Sequence, residues 1–155
     1  MNKQKGFTIV ELIVVIAIIA ILAAIVMTNV TGFLNKGKDA AAKGNMQTIF
    51  TNGLIYYDGN GNSFEDFDAT TSKGYTAPAA KIALDYSSTS TPAQYVKTVA
   101  SDGSAFCVCI LLKDPKLTSG TWCIDSTGFK GESSTACASR CAATASATTN
   151  AVCSD

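Results

Sequence analysis

Three sets of residues in this chain of 155 have types and spacings that can carry chemistry. The first is Lys5-Gly6-Phe7-Thr8-Ile9-Val10-Glu11-Leu12. A short basic head meets a glycine and an aromatic residue, and one carboxylate follows five residues past the glycine. No other charge occurs from Leu12 to Asn35. Hydrolysis after Gly6 would leave a new α-amine on Phe7, one helical turn from Glu11. Amine and carboxylate would then share a face or pair between neighbouring chains. The second set is Cys107, Cys109, Cys123, Cys137, Cys141 and Cys153, which can oxidise in pairs or bind a metal. The third is Asp58-x-Asn60-x-Asn62 with Glu65 and Asp66, oxygen donors spaced like the start of a calcium loop. An EF-hand would need Gly at Ser63 and Glu at Ala69, so a solvated acidic turn is the default and calcium the weaker reading.

The same inventory excludes much. The chain has no His, which removes Ser-His-Asp and Cys-His catalysis and His-ligated metals. No nucleophile–base pair and no phosphate loop is legible, so neither an enzyme nor a cofactor is expected. The formal net charge is zero, which points to neither nucleic acid nor an acidic membrane as a partner. An even Cys count confined to one part of a small domain favours disulfides and an oxidising compartment. None of the spacings is a C-x2-C knuckle, so a Cys-only metal site is the lesser reading.

Phe7–Met27 is hydrocarbon and Ala apart from Thr8 and Glu11, and about 20 such residues match a bilayer core. Lys3 and Lys5 precede it, so the N-terminus is expected in the cytoplasm and the remainder outside. Three readings compete: a cleaved signal peptide with Ala-rich sites at Ala20–Ala24, a signal anchor, and a leader removed after Gly6. A carboxylate in an apolar span costs about 2.5–3.5 kcal/mol at mid-bilayer and less near the edge. Only the third reading gives Glu11 a partner.

Lys5–Leu12 resembles the processing motif of type IV pilins and type II secretion pseudopilins. The resemblance covers the first 35 residues strongly and the rest by architecture. It implies a leader of residues 1–6, cut by a prepilin peptidase that also methylates Phe7. It implies that Glu11 guides docking and register of incoming subunits. The partners implied are the cytoplasmic membrane before assembly, the pilus assembly machinery, and other copies in a homo-oligomeric helical filament, either an extracellular pilus or a periplasmic pseudopilus. A pseudopilin or a minor tip pilin is the neighbouring alternative. A membrane-anchored adhesin or nucleic-acid receptor is the rival of another class, but no basic-aromatic cluster supports it. Many relatives carry a Pro where Thr28 stands here, so a proline kink is not expected.

The elements that position these groups form an α+β fold. Apolar residues at Phe33, Leu34, Ala41, Met46, Ile49, Phe50, Leu54 and Tyr57 recur at steps of three and four. A continuous helix from Phe7 to Tyr57 would be about 77 Å long, all-round apolar in its first half and amphipathic in its second. Residues 7–35 are expected to be the membrane and filament-core helix, and 36–155 the head. Gly32, Gly37, Gly44 and Gly53 weaken the helix by about 1 kcal/mol each. Either a bend or melting falls at Thr28–Gly37, or the glycines allow close helix packing. A short helix is expected near Pro78–Leu84, and an exposed loop or glycan acceptor at Ser87–Thr91. Residues 95–99, 105–112 and 121–125 read as antiparallel strands, with an apolar face on Met46, Ile49, Phe50 and Leu54. Trp122–Gly128 is similar to a strand and turn of pilin heads. Cys107 and Cys109 share a strand face and Cys123 lies on the next strand. Six cysteines allow 15 pairings. Cys123 with Cys107 or Cys109 is the favoured bond, and further disulfides are expected to tie the Ala/Ser/Thr-rich C-terminal tail to the sheet.

Overall fold

The structure, a computed structural model, describes residues 6–67, 73–86, 94–114, 120–141 and 151–153, with no side-chain description at Thr28. Residues 1–5 of the expected leader, the Ser87–Thr91 loop and most of the tail lie outside the described residues.

Helix α1, Ile9–Gly59, runs for 51 residues without a break. No melting occurs at Thr28–Gly37: the i→i−4 ladder tolerates isolated glycines, and the Asn29 amide donates to the Ile25 carbonyl at 3.1 Å. From Ile9 to Met27 every large apolar side chain is exposed, and the helix is long and apolar enough to cross a membrane.

Further along, α1 presents Asp39, Ala42, Met46 and Ile49 inward, all buried, with Gly53 continuing the stripe. Gly53 is needed there, because a Cβ would lie 2.7 Å from the Phe106 ring. This corrects the expected face. Met46, Ile49 and Phe50 pack on the sheet, but Leu54 is 44% exposed, and Phe33, Leu34 and Ala41 also face outward. The stripe passes through small residues and a carboxylate that an apolar-only reading skips.

Helix α2, Lys73–Asp85, packs antiparallel to α1, with Gly74 beside Asn52 and Asp85 beside Lys38. It is longer than expected and holds Pro78 in its interior. Proline has no N–H for the Gly74 carbonyl four residues back. The Asn52 amide on α1 supplies that hydrogen bond at 2.8 Å.

Four strands follow in a meander: β1 Tyr95–Val99, β2 Phe106–Leu111, β3 Thr121–Asp125 and β4 Lys130–Ser133, all antiparallel and ordered β1-β2-β3-β4. The first three match the expected strands. The fourth, Lys-Gly-Glu-Ser, has no β-branched or aromatic residue and was not anticipated. The Asp125 carboxylate forms its turn, accepting from the Thr127 and Phe129 amides at 2.9 and 3.3 Å.

Period-two alternation divides β2 and β3 between two cores. Phe106, Val108, Ile110 and Ile124 face the helices and join Met46, Ile49, Phe64, Phe67 and Ile82. Cys107, Cys109 and Cys123 face the other way, with Cys137, Cys141 and Ala151. At the lower end of the head, buried Asp39 accepts from the Lys113 amide at 2.9 Å, the Asp114 amide at 2.9 Å and the Tyr86 hydroxyl. Burial and then the Asp39 bond push the Tyr86 phenol well above its usual range. One carboxylate thus ties α1 to the ends of α2 and β2.

Met46→Ala should destabilise the detergent-solubilised chain by about 2–5 kcal/mol, whereas Leu54→Ala should stay within about 0.5 kcal/mol of the parent. Thermal denaturation followed by circular dichroism compares the two, and equal losses would show that the buried stripe is misassigned.

Candidate functional site

Residues 6–8 are non-helical and Thr8 is the N-cap of α1, with φ −85° and ψ 152°. Its hydroxyl accepts from the Glu11 amide at 3.2 Å, and the Glu11 carboxylate accepts from the Thr8 amide and hydroxyl, both at 2.8 Å. This is a capping box, in which two otherwise orphaned donors at a helix start are satisfied reciprocally. The acidic side chain also sits at the positive end of the helix dipole. Glu11 therefore has a role within its own chain, and the signal for it in the sequence is the Thr-x-x-Glu spacing of Thr8 and Glu11 just ahead of the apolar run. Phe7 lies ahead of the cap and is 81% exposed, so it is not on the first helical turn. Phe7, Val10, Glu11, Val14 and Val15 line a shallow groove that nothing among the described residues covers. Gly6 is exposed, and a Cβ there would meet nothing within 4 Å.

The six cysteines form Cys107–Cys141, Cys109–Cys137 and Cys123–Cys153, with Cα separations of 5.6, 5.4 and 6.0 Å. The favoured pairing of Cys123 with Cys107 or Cys109 is therefore corrected, although Cys109 and Cys123 are opposite each other in register. Each strand cysteine takes a tail cysteine instead. The reason is a match of spacings. Cys137 begins a helical turn, α3 Cys137–Arg140, and Cys141 caps it. An i, i+4 step rises about 6 Å along a helix. An i, i+2 step rises about 6.6 Å along a strand. C-x3-C on α3 therefore lies over C-x-C on β2, running the opposite way, and the bonds hold a short helix against the sheet. That match was present in the spacings. The helical turn was the missing premise. Each ring of 28–34 residues contributes about 3–4 kcal/mol in the chain-entropy account.

The calcium candidates are placed otherwise. Asp58, Asn60, Asn62, Glu65 and Asp66 are exposed around the end of α1. The Asn60 amide donates to the Ser63 and Glu65 carbonyls at 3.2 and 3.5 Å, and Asn62 and Asp66 take left-handed backbone with φ of 62° and 59°. Their polar atoms build the turn. Among the described residues no three acidic groups converge there, and the one group close enough to share an ion is Cys107, Cys123 and Cys141.

A family model described as the prokaryotic N-terminal methylation motif matches residues 1–27. The type IV major pilin protein of Myxococcus xanthus is 43% identical over 49 residues, 32% of this chain and 22% of that protein. A fimbrial protein of Moraxella nonliquefaciens is 36% identical over 80 residues, 47% of this chain and 52% of that protein. The type IV wide pilus major component of Thermus thermophilus is 31% identical over 110 residues, 70% of this chain and 73% of that protein. The chain thus spans between a fifth and about half of the first two relatives, but most of the third. No solved structure matches it. The chain belongs to the type IV pilin family.

Peptide mapping without reduction should recover Cys107–Cys141, Cys109–Cys137 and Cys123–Cys153. Any peptide joining Cys123 to Cys107 or Cys109 as the main species would overturn this connectivity.

Proposed function

We propose that this chain is a structural subunit of a type IV pilus filament, made as a membrane-anchored precursor and polymerised through α1. The observation that carries the reading is an uncovered helical surface, apolar on every side from Ile9 to Met27 and interrupted only by a capped carboxylate. Such a surface needs lipid or other copies of itself. Lipid serves the precursor, with Lys3 and Lys5 holding the N-terminus in the cytoplasm and the head outside. Neighbouring α1 helices serve the filament, so the head faces solvent in both states.

Residues 1–6 are the leader in this reading. Gly6 leaves room for a peptidase to approach the backbone of an extended segment, and Phe7 becomes the new, methylated N-terminus. The leader carries both basic residues ahead of the helix, so the mature chain has ten basic against twelve acidic residues, a net charge of −2. Glu11 is satisfied by Thr8 while the subunit waits in the membrane. During docking the carboxylate can turn to the Phe7 amine of its own or a neighbouring chain, which selects one axial register. Gly6 and Phe7 thus act in processing, and Phe7 and Glu11 in assembly.

Mass spectrometry of filaments should find N-methylated Phe7 as the first residue. Glu11→Ala should remove filaments while leaving the precursor inserted, and Gly6→Ala should leave it unprocessed. Normal filaments from Glu11→Ala, or a mature N-terminus near Ala24, would remove the basis of this reading.

A further inference from the structure

We propose that, while its cysteines are thiols, the head holds a four-sulfur site for a soft divalent cation of the zinc class, formed by Cys107, Cys123, Cys141 and Cys153. Disulfide closure abolishes this site.

The sulfurs of two disulfides lie side by side. Cys107 Sγ is 3.3 Å from Cys123 Sγ and 3.7 Å from Cys153 Sγ, and Cys123 Sγ is 3.7 Å from Cys141 Sγ. A tetrahedral thiolate site with zinc–sulfur bonds of about 2.3 Å has sulfurs about 3.8 Å apart. Three of the four contacts between the two bonds already have nearly that separation. To reach it the bonded partners must part, and Cys153 Sγ, which lies outside the close group of Cys107, Cys123 and Cys141, must swing toward Cys141 Sγ.

The ligands are also held by something other than the bonds they would lose. Cys107 and Cys123 are fixed by strands β2 and β3. The Cys141 carbonyl accepts from the Thr98 hydroxyl at 2.7 Å, and the Cys153 amide donates to the Asp125 carboxylate at 2.8 Å. Opening the two disulfides therefore leaves both tail ligands pinned over the sheet. Cys107, Cys123 and Cys141 are at most 1% exposed, and half-buried Cys153 gives the path in. Cys109, turned to Cys137, stands outside the group. Soft thiolates without imidazole or carboxylate select zinc-class ions over calcium or magnesium.

The chemistry balances simply. A newly made chain carries six thiols. Four of them lose their protons as four metal–sulfur bonds form, with no change of oxidation state. Starting from the oxidised head, a phosphine and water open each disulfide to two thiols and leave the phosphine oxide. Exchange of the loaded site with two equivalents of a small-molecule disulfide and four protons closes both protein disulfides, leaves four small-molecule thiols and releases the cation.

The test uses the full chain in detergent, reduced anaerobically with a phosphine and titrated with Cd2+. A single Cd2+ per chain should bind, with a thiolate charge-transfer band, and Zn2+ should displace it. Loss of even an outer-shell partner weakens metal sites by about 10–100-fold, so Cys107→Ser should weaken Cd2+ binding by at least that much. The double variant Cys109→Ser, Cys137→Ser should still bind one equivalent. The proposal is overturned by an absence of binding, by equal binding in Cys107→Ser, by loss of binding in the double variant, or by equal affinity in the urea-unfolded reduced chain.

Discussion

A helix that is apolar all the way round cannot be left in water, and everything else in this molecule is arranged around that constraint. From Ile9 to Met27, α1 offers no polar face, so no head could cover it and remain a head. The chain instead divides one continuous helix between two surroundings. Its first half belongs to lipid or to other copies, and its second half is the spine of a small α+β head. Continuity between the halves means that no loop separates the head from the apolar half of α1. The capping box at Thr8 and Glu11 then has a plain physical purpose. It lets a carboxylate sit at the edge of an apolar span with its hydrogen bonds already made, at a helix end that favours negative charge.

The head is divided too. Helices α1 and α2 cover one face of the four-stranded sheet, and the other face carries a layer of a different kind. Among the described residues this opposite layer is built mainly of cysteine and alanine, with α3 as its helical turn. Disulfides supply there what apolar area supplies on the helix side. Central strand β2 is buried on both faces as a result, although its partner layers differ in kind.

Much of this was legible in the sequence. The long helix, three strands and the role of the cysteines as staples followed from periodicity, β-branched content and even count. The Lys5–Leu12 motif carried the family resemblance on its own. What was not legible depended on contacts between distant parts. Leu54 looked like a core residue because apolar spacing is blind to Gly53, whose absent side chain lets α1 approach Phe106. Pro78 looked like a helix boundary because the Asn52 amide that replaces its missing hydrogen bond lies on another helix. β4 has no strand-forming composition and exists because β3 offers it an edge and Asp125 makes the turn. The disulfide pairing needed the short helix at Cys137 before the two spacings could be seen to match.

The three disulfides also decide how far this chain can be stretched. Every residue from Cys107 to Cys153 lies inside at least one covalent ring, while both long helices and β1 lie outside. Cys107–Cys141 alone removes 34 residues from the extensible contour, about 120 Å of hidden length. Tension on the ends can therefore peel β1 and the helices from the sheet but cannot draw out β2 to β4. The disulfide-enclosed part of the head keeps its shape after the helices and β1 have yielded, and the unit has a covalent kernel from which to reassemble when the load is released.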